Sequence, residues 1–293
     1  MMSHKLDELL HQKPVLLDGA WGTELQALGL PGGACPDLWN LTEPAKVESV
    51  ARRYVEAGSR IILTNTFRAN PPALAAYGLE DQMEAINRAG VAISQQAAGQ
   101  DALVMASIGP SGKMMMMGDI TENQLTDAFS RQAKSLAEAG ADGIVIETMT
   151  DLNEARIALQ AALKTGLPVA VSMVYDSGSD RLHTMMGNSL EECVAALEQD
   201  GASIIGANCG TGIDGYIPVC RKMKSLTDRP IWIKPNAGLP RIDNGKLVYD
   251  VTPDEFAIQA MELFRSGASL IGGCCGTTPE FIRRMNQRFF NNA

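Results

Sequence analysis

Short apolar segments alternate with longer amphipathic segments along almost the whole chain. The apolar segments are mostly continuous and β-branched in places, which is typical of parallel strands that are buried on both faces. The pattern predicts strands at 15–18, 61–66, 103–110, 143–148, 169–174, 203–210, 231–238 and 269–276. It predicts helices between them at 44–57, 80–98, 121–139, 152–165, 189–200, 213–227, 252–266 and 278–289.

Local signals at the helix ends support this alternation. Thr121 with Gln124 and Thr252 with Glu255 form capping-box patterns, and glycine stands at the predicted helix ends in EAGADGI, EQDGASI and RSGASL. Eight successive βα units predict one α/β domain over 1–293, a (β/α)8 TIM barrel, with a doubly wound sheet as the main alternative. Residues 19–43 are predicted to form a long first loop with a functional role.

Composition and charge narrow the class of protein. A formal net charge of −9 would repel phosphate backbones, so we expect no nucleic-acid partner. The sequence has no apolar run of about 18 residues and no signal-peptide core, which predicts a cytoplasmic protein without a membrane span. In that compartment the six cysteines should be reduced and available for metal binding or catalysis.

Unusual residues collect at the predicted C-terminal ends of the strands, where barrel enzymes place their active sites. Seven of the eight strand ends carry polar, thiol or glycine residues. They are Asp18-Gly19-Ala20, Asn65-Thr66, Gly109-Pro110, Glu147-Thr148, Asn208-Cys209-Gly210, Pro235-Asn236-Ala237-Gly238 and Cys274-Cys275-Gly276. This shared edge is called the C-terminal rim below.

Three cysteines at this rim predict a zinc site. Cys209 ends the sixth predicted strand, and Cys274 and Cys275 end the eighth, with the seventh between them. Three thiolates favour zinc, and three protein ligands leave a fourth tetrahedral position open for a substrate. The alternative is that the three pack as small buried residues, the interpretation that we keep for Cys35, Cys193 and Cys220, a loop residue and two helix residues.

A zinc ion with three thiolates has a net charge of about −1, so it suits the binding of a substrate thiol better than the activation of water. The bound thiolate could then attack an electrophilic methyl group without a general base. Asp18 and Glu147 could bind the ammonium of an amino-acid substrate, and the backbone amides of Gly19 and Ala20 its carboxylate. The competing interpretations are an Asx-turn or helix cap for Asp18 and an internal ion pair for Glu147.

These residues stand in motifs that resemble the homocysteine S-methyltransferase family. The matching stretches cover almost the whole chain, and the pairing of one upstream cysteine with GGCCG is highly specific. They are LLDGAWGTEL (16–25), ILTNTFRAN (62–70), ASIGPSG (106–112), GIVIETMTDLNEA (143–155), GANCG (206–210), KPNAG (234–238) and IGGCCGTTPEFI (271–282). The chain looks most similar to the homocysteine-binding domain of cobalamin-dependent methionine synthase.

The resemblance implies zinc bound by Cys209, Cys274 and Cys275, and homocysteine as the thiol that becomes methionine. It implies that Asp18 and Glu147 hold the amino acid. Asn236 matches a family asparagine that approaches the zinc when no thiol is bound. The catalytic group would be the zinc-bound substrate thiolate itself.

The methyl donor is the open question at this stage. The chain ends soon after the zinc motif, so we expect methylcobalamin or another methylcorrinoid on a separate protein. The run Met114, Met115, Met116 and Met117 beside the rim would be its docking surface, or one or two of these side chains would pack as an apolar lid. Betaine-using relatives have tyrosines where Thr148 and Arg68 stand here, which disfavours betaine.

Two alternatives remain open. The donor could be S-methylmethionine or S-adenosylmethionine, which suit a single-domain enzyme equally well. The protein could also be a non-catalytic accessory subunit that binds zinc and a thiol, or an enzyme with a different thiol acceptor. The pair Asp18 and Glu147 favours an acceptor with an ammonium, because two carboxylates would repel a purely anionic thiol.

Overall fold

The computed structural model describes residues 4–12, 14–243 and 246–290. Strands and helices alternate in this part of the chain, as the hydrophobic pattern predicts. The strands are β1 (Val15–Leu16), β2 (Ile61–Leu63), β3 (Leu103–Ile108), β4 (Gly143–Met149), β5 (Val169–Met173), β6 (Ile204–Gly212), β7 (Ile231–Asn236), β8 (Arg241–Asp243), β9 (Lys246–Val248) and β10 (Leu270–Ile271). The helices are α1 (His4–Leu10), α2 (Trp21–Ala27), α3 (Trp39–Thr42), α4 (Pro44–Ala57), α5 (Pro71–Ala75), α6 (Met83–Ala98), α7 (Glu122–Glu138), α8 (Leu152–Leu163), α9 (Leu190–Gln199), α10 (Ile213–Lys224), α11 (Pro253–Arg265) and α12 (Pro279–Phe290).

Eight of these strands form one parallel sheet in the order β1-β10-β7-β6-β5-β4-β3-β2. A parallel bridge between Leu17 and Ile61 joins the two outer strands, and the Arg60 N–H donates to Leu16 O at 2.8 Å. The sheet is therefore closed on itself, and the predicted (β/α)8 barrel is confirmed. The doubly wound alternative is wrong, because that sheet would keep two open edges.

The barrel has two apolar layers. One lies inside the strands, where Trp232 is the largest buried side chain and Leu6 and Leu10 of α1 pack into the same cluster. The other lies between the strands and the surrounding helices. Helix α1 therefore adds apolar side chains to the interior of the barrel.

Some local predictions need correction. Residues 19–43 are not a plain loop, because they contain α2, a 3₁₀ turn at Pro36–Leu38 and α3. In α2, whose sequence is WGTELQA, Glu24 and Leu25 are buried. The hairpin β8–β9 and helix α1 were not predicted, because their apolar patterns are short and α1 is stabilised by tertiary packing.

Capping follows the sequence closely. Thr121 and Thr252 form full capping boxes with Gln124 and Glu255. Gly140 and Gly267 adopt φ of 94° and 113° after their helices, a region in which glycine meets no Cβ penalty. These local signals set the helix ends, so the strands that follow begin where the apolar pattern predicts.

Candidate metal centre

The three rim cysteines lie together. The Sγ atoms of Cys209, Cys274 and Cys275 are all within 4.8 Å of one another, and each residue is partly buried. Cys209 lies in β6, while Cys274 and Cys275 follow β10, with β7 between the two strands. The predicted proximity is confirmed, although Cys209 precedes Cys274 by 65 residues in the chain.

Close backbone packing explains the glycines around the paired cysteines. A Cβ on Gly273 would lie 2.3 Å from Thr277 Oγ1, and Thr277 Oγ1 donates to Cys274 O at 2.7 Å. Gly276 has φ of 82°, and a Cβ there would lie 2.3 Å from the Tyr249 ring. Both positions exclude a side chain, so the GGCCG turn can bring two adjacent thiols to one face.

The thiols are electrostatically coupled. Hydrogen bonds from Cys274 and Cys275 lower the pKa of Cys209, whereas the same contacts raise the pKa of Cys274. The cluster therefore stabilises one thiolate at neutral pH and disfavours a second and third. A divalent cation would replace the two remaining protons and offset the charge of two of the three thiolates.

A fourth donor lies beside the cluster. Asn236 donates from Nδ2 to Gly210 O at 2.9 Å, and its side chain also contacts the Cys209 thiol. Its Oδ1 is buried and has no hydrogen-bond partner among the described residues. A buried amide oxygen without a partner costs free energy unless a ligand or an ion satisfies it. Three sulfurs and this oxygen form a donor set that fits zinc.

Asn208 is a positioning residue that the sequence analysis missed. Its buried Oδ1 accepts from Thr148 N at 2.9 Å and from Ser172 Oγ at 2.6 Å, and its Nδ2 donates to Thr148 Oγ1 at 2.7 Å. Thr148 and Cys209 have φ of 61° and 63°, a conformation that residues other than glycine rarely adopt and that is least favourable for a β-branched residue such as Thr148. The Asn208 side chain thus holds two strained residues in place, and its only sequence signal is an amide in an otherwise apolar strand.

Asp18 is more deeply buried than predicted. Its Oδ2 accepts from Trp21 Nε1 and Leu63 N, both at 2.7 Å, and its Oδ1 pairs with the Lys234 ammonium. It is fully buried and does not line the cavity beside the thiols. Lys234 does line that cavity, and sequence analysis missed it although a lysine in the apolar strand IWIKPN is a visible signal.

Glu147 lies on the cavity wall, as predicted. Its Oε1 accepts from Ser107 Oγ at 2.5 Å, and burial raises the pKa of its carboxyl while the Lys234 ammonium opposes that rise. For Lys234, burial lowers the pKa, but Asp18 and Glu147 together outweigh that effect and keep the pKa above its usual value. The site therefore keeps a cation between two carboxylates.

The predicted anion nest is occupied in part by the protein itself. The Ala20 N–H donates to Thr277 O at 3.3 Å and to Thr277 Oγ1 at 3.2 Å. Gly19 and Ala20 both line the cavity. Their role in binding a substrate carboxylate stays a prediction.

The cavity beside the thiols has a volume of about 550 Å³, within the range that accommodates a drug-sized ligand. Its wall includes all three cysteines and Glu147, and also Arg68, whose Nη1 donates to Tyr77 Oη at 2.9 Å. Arg68 therefore reaches the cavity, which the sequence alone left open. The aromatic side chains on the wall are Trp21, Phe67 and Tyr77.

Comparison with known proteins agrees with this geometry. A family model described as homocysteine S-methyltransferase matches residues 15–289. The chain belongs to the homocysteine S-methyltransferase family. The match spans every strand of the barrel and all three rim cysteines.

Relatives and solved structures support the same family. The chain is 32% identical over 300 residues to proteins named methionine synthase from Mycobacterium leprae and Mycobacterium tuberculosis. These matches cover 95% of this chain but 24% and 25% of the relatives, so the chain spans about a quarter of their length. The metallated homocysteine methyltransferase MmuM from Escherichia coli superimposes with a TM-score of 0.77 at 27% identity, covering 97% of this chain and 99% of that one.

The methionine run of this family member lies in a 3₁₀ turn at Met115–Met117, after β3. Met115 packs against the core, whereas Met116 and Met117 are 73% and 70% exposed. The expectation that one or two methionines pack down fits Met115. Together with Met114, which is 40% exposed, these two side chains form an exposed apolar surface next to the rim.

The other three cysteines are separate from the rim. Cys35, Cys193 and Cys220 are buried, and burial raises the pKa of their thiols to about 11, 11 and 12 respectively. Protonated buried thiols pack as small apolar side chains, as expected for structural cysteines. Among the described residues, no helix is long and apolar enough to cross a membrane.

Proposed function

We propose that this protein transfers a methyl group to the thiol of homocysteine, giving methionine, at a zinc ion held by Cys209, Cys274 and Cys275. The observation that supports this most is the cluster of three thiols within 4.8 Å on the wall of a 550 Å³ cavity. The relatives named homocysteine methyltransferase and methionine synthase agree with it. An accessory subunit would need the thiols but no cavity suited to an amino acid.

The bound ion would supply the positive charge that keeps the acceptor thiol deprotonated at neutral pH. The acceptor sulfur forms a bond to the methyl carbon while the bond between that carbon and the donor breaks, and the electron pair stays with the donor. No proton moves in this step, so the chain needs no general base there. Its residues bind and orient the acceptor.

Glu147 is the group that faces an acceptor ammonium, because it lies on the cavity wall and Ser107 orients its Oε1. Asn236 would exchange places with the acceptor thiol, since its side chain contacts the Cys209 thiol and its buried Oδ1 has no hydrogen-bond partner among the described residues. Asn208 holds the β6 end that positions Cys209. Asp18 acts through Lys234 rather than by direct contact.

For the donor we propose a methylcorrinoid presented by a corrinoid protein that docks on the rim. Support comes from the relatives named methionine synthase and from the exposed Met116 and Met117. The hairpin β8–β9 adds exposed apolar side chains after β7, with Ile242 79% exposed. A small sulfonium donor, S-methylmethionine or S-adenosylmethionine, is the second candidate, because the cavity has room beyond an amino-acid acceptor.

A donor panel tests the proposal. Zinc-loaded protein would be given homocysteine with free methylcobalamin, S-methylmethionine, S-adenosylmethionine or betaine, and methionine would be quantified. Methionine from methylcobalamin supports the corrinoid, and turnover with a sulfonium alone supports the second candidate. Absence of homocysteine binding to the zinc-loaded protein would refute the proposed function, and Cys193→Ala serves as the matched cysteine control.

The docking surface needs its own test. Met116→Gln and Met117→Gln together remove two exposed thioethers that the core does not need. Transfer from a protein-bound methylcorrinoid should fall, while transfer from free methylcobalamin should not. Equal rates for variant and wild type with the protein-bound donor would refute the docking role.

A further inference from the structure

Lys234 occupies an unusual position for a charged side chain. It lies in β7, in the sequence IWIKPN, and is 2% exposed. Its ammonium pairs with Asp18 Oδ1, and the same side chain lines the cavity that holds the three thiols. A lysine is rarely buried unless it is paired, so the Lys234 ammonium belongs to the polar groups of the cavity and is not a surface group.

The pairing changes what Asp18 can bind. The Trp21 indole and the Leu63 amide already occupy its Oδ2, and Lys234 occupies its Oδ1. Asp18 is fully buried and is not on the cavity wall. An acceptor ammonium would have to displace Lys234 before it could touch this carboxylate.

Glu147 is different, because it remains on the wall with Ser107 as its hydrogen-bond donor. The charged side chains on the cavity wall nearest Asp18 are therefore the Glu147 carboxylate and the Lys234 ammonium, and Asp37 and Arg68 line the same cavity. Asp18 is neutralised behind them. A single carboxylate attracts an ammonium less strongly than a pair would, and the Asp18–Lys234 pair adds no net charge to that attraction.

We propose that Lys234 is a specificity-determining residue, because its ammonium occupies the position at Asp18 that the ammonium of an acceptor would otherwise take. The pocket then recognises its acceptor by thiol and carboxylate more than by the α-ammonium. The acceptor class is mercaptocarboxylic acids, with homocysteine as one member. This inference rests on the proposed function, because it concerns the acceptor of the same site.

Acceptor analogues test this on the wild-type protein without any methyl donor. Calorimetry would compare homocysteine, 4-sulfanylbutanoate, which lacks the amine, and 3-sulfanylpropan-1-amine, which lacks the carboxylate. We expect 4-sulfanylbutanoate to bind within about tenfold of homocysteine, since one charged hydrogen bond is lost, and 3-sulfanylpropan-1-amine to bind more weakly than either. If 4-sulfanylbutanoate binds more weakly than 3-sulfanylpropan-1-amine, the inference is overturned.

Two variants connect the preference to Lys234. Lys234→Met removes the cation and leaves Asp18 charged, so the preference for 4-sulfanylbutanoate over 3-sulfanylpropan-1-amine should fall by about tenfold or more. The double variant Asp18→Asn with Lys234→Met removes both charges, restores the net charge and should return most of that preference. This double variant also avoids an unpaired buried charge, so it is expected to fold even if the single variant does not.

The outcomes separate the two proposals. Two results would overturn the role of Lys234 without refuting the proposed function. One is an unchanged preference for 4-sulfanylbutanoate over 3-sulfanylpropan-1-amine in a folded Lys234→Met protein. The other is a loss of that preference in the double variant as large as the loss in Lys234→Met. Zinc content, measured on the same samples, should stay at the wild-type level, which a general disruption of the rim would not allow. Failure of homocysteine and both analogues to bind would refute the proposed function and this inference with it.

Discussion

Replacing Asn208 with alanine should destabilise the rim. Among uncharged side chains that are not proposed zinc ligands, no other single replacement should have a larger effect. The side chain makes three hydrogen bonds with Thr148 N, Thr148 Oγ1 and Ser172 Oγ and a fourth, at 4.0 Å, from its Nδ2 to Cys274 Sγ, and it is fully buried. The Asn208→Ala protein would leave these groups without their partner. Each unsatisfied buried group costs about 1–3 kcal/mol, and water can reach the partly buried Thr148.

The free energy of unfolding should therefore fall by roughly 3 kcal/mol in Asn208→Ala. Ser172→Ala is the matched control, because it removes one of these bonds and should cost about 1 kcal/mol. Urea denaturation of the zinc-free proteins would measure both changes. A comparable loss for the two variants would refute the view that Asn208 holds the strained Thr148 backbone.

The same variant should weaken zinc binding, because Cys209 follows Asn208 and has φ of 63°. Loss of a residue that orients a metal ligand typically lowers metal affinity by about 10–100-fold. Competition with a chromophoric chelator would measure this change. Wild-type affinity in Asn208→Ala would show that the β6 end keeps its shape without the amide.

Three further outcomes follow from the site. Cys275→Ala should lose zinc and turnover while the barrel stays folded, and Cys193→Ala should keep both; zinc at full occupancy in Cys275→Ala would contradict the ligand assignment. Glu147→Gln should weaken homocysteine binding more than zinc binding, and equal losses would indicate a structural role. Burial raises the pKa of Asp37 from 3.8 to about 6. The wild type should therefore lose stability relative to Asp37→Asn as the pH rises from about 4 to about 6. Urea denaturation across this pH range measures the difference, and parallel stability curves for the two proteins would contradict the prediction.

The Asp37 prediction depends on the sign of the shift. The folded state holds its proton at higher pH than the unfolded chain does, so it binds more protons between the two pKa values. Stability therefore falls as pH rises through that window and stays lower above it. Asn keeps the Oδ1 that accepts from Arg68 N at 3.0 Å, so the variant isolates the charge.

Much of the fold follows from local sequence. Eight apolar segments, capping boxes such as Thr252 with Glu255, and glycines such as Gly267 predict the βα series, because burial on both faces and helix termination are local requirements. The α2 helix was missed, since a seven-residue helix owes its stability to packing rather than to propensity.

The cluster of three thiols was also predictable, for a reason of topology. Cysteines at the C-terminal ends of the sixth and eighth barrel strands lie at the same rim because of the backbone topology, independently of side-chain conformation. The motif GGCCG adds glycines where Cβ atoms would clash, and these constraints act within a few residues of Cys274. Sequence alone therefore determined which thiols could share a metal.

Only the tertiary structure decided how charge is distributed around that cluster. Asp18 and Lys234 are 216 residues apart and become partners because β1 and β7 both border β10 in the closed sheet. Asn208 lies against Thr148, 60 residues away, because β4 and β6 both border β5. Electrostatic pairing depends on distance and burial rather than on residue type, so the pattern of apolar and polar positions could not show that Asp18 is already satisfied.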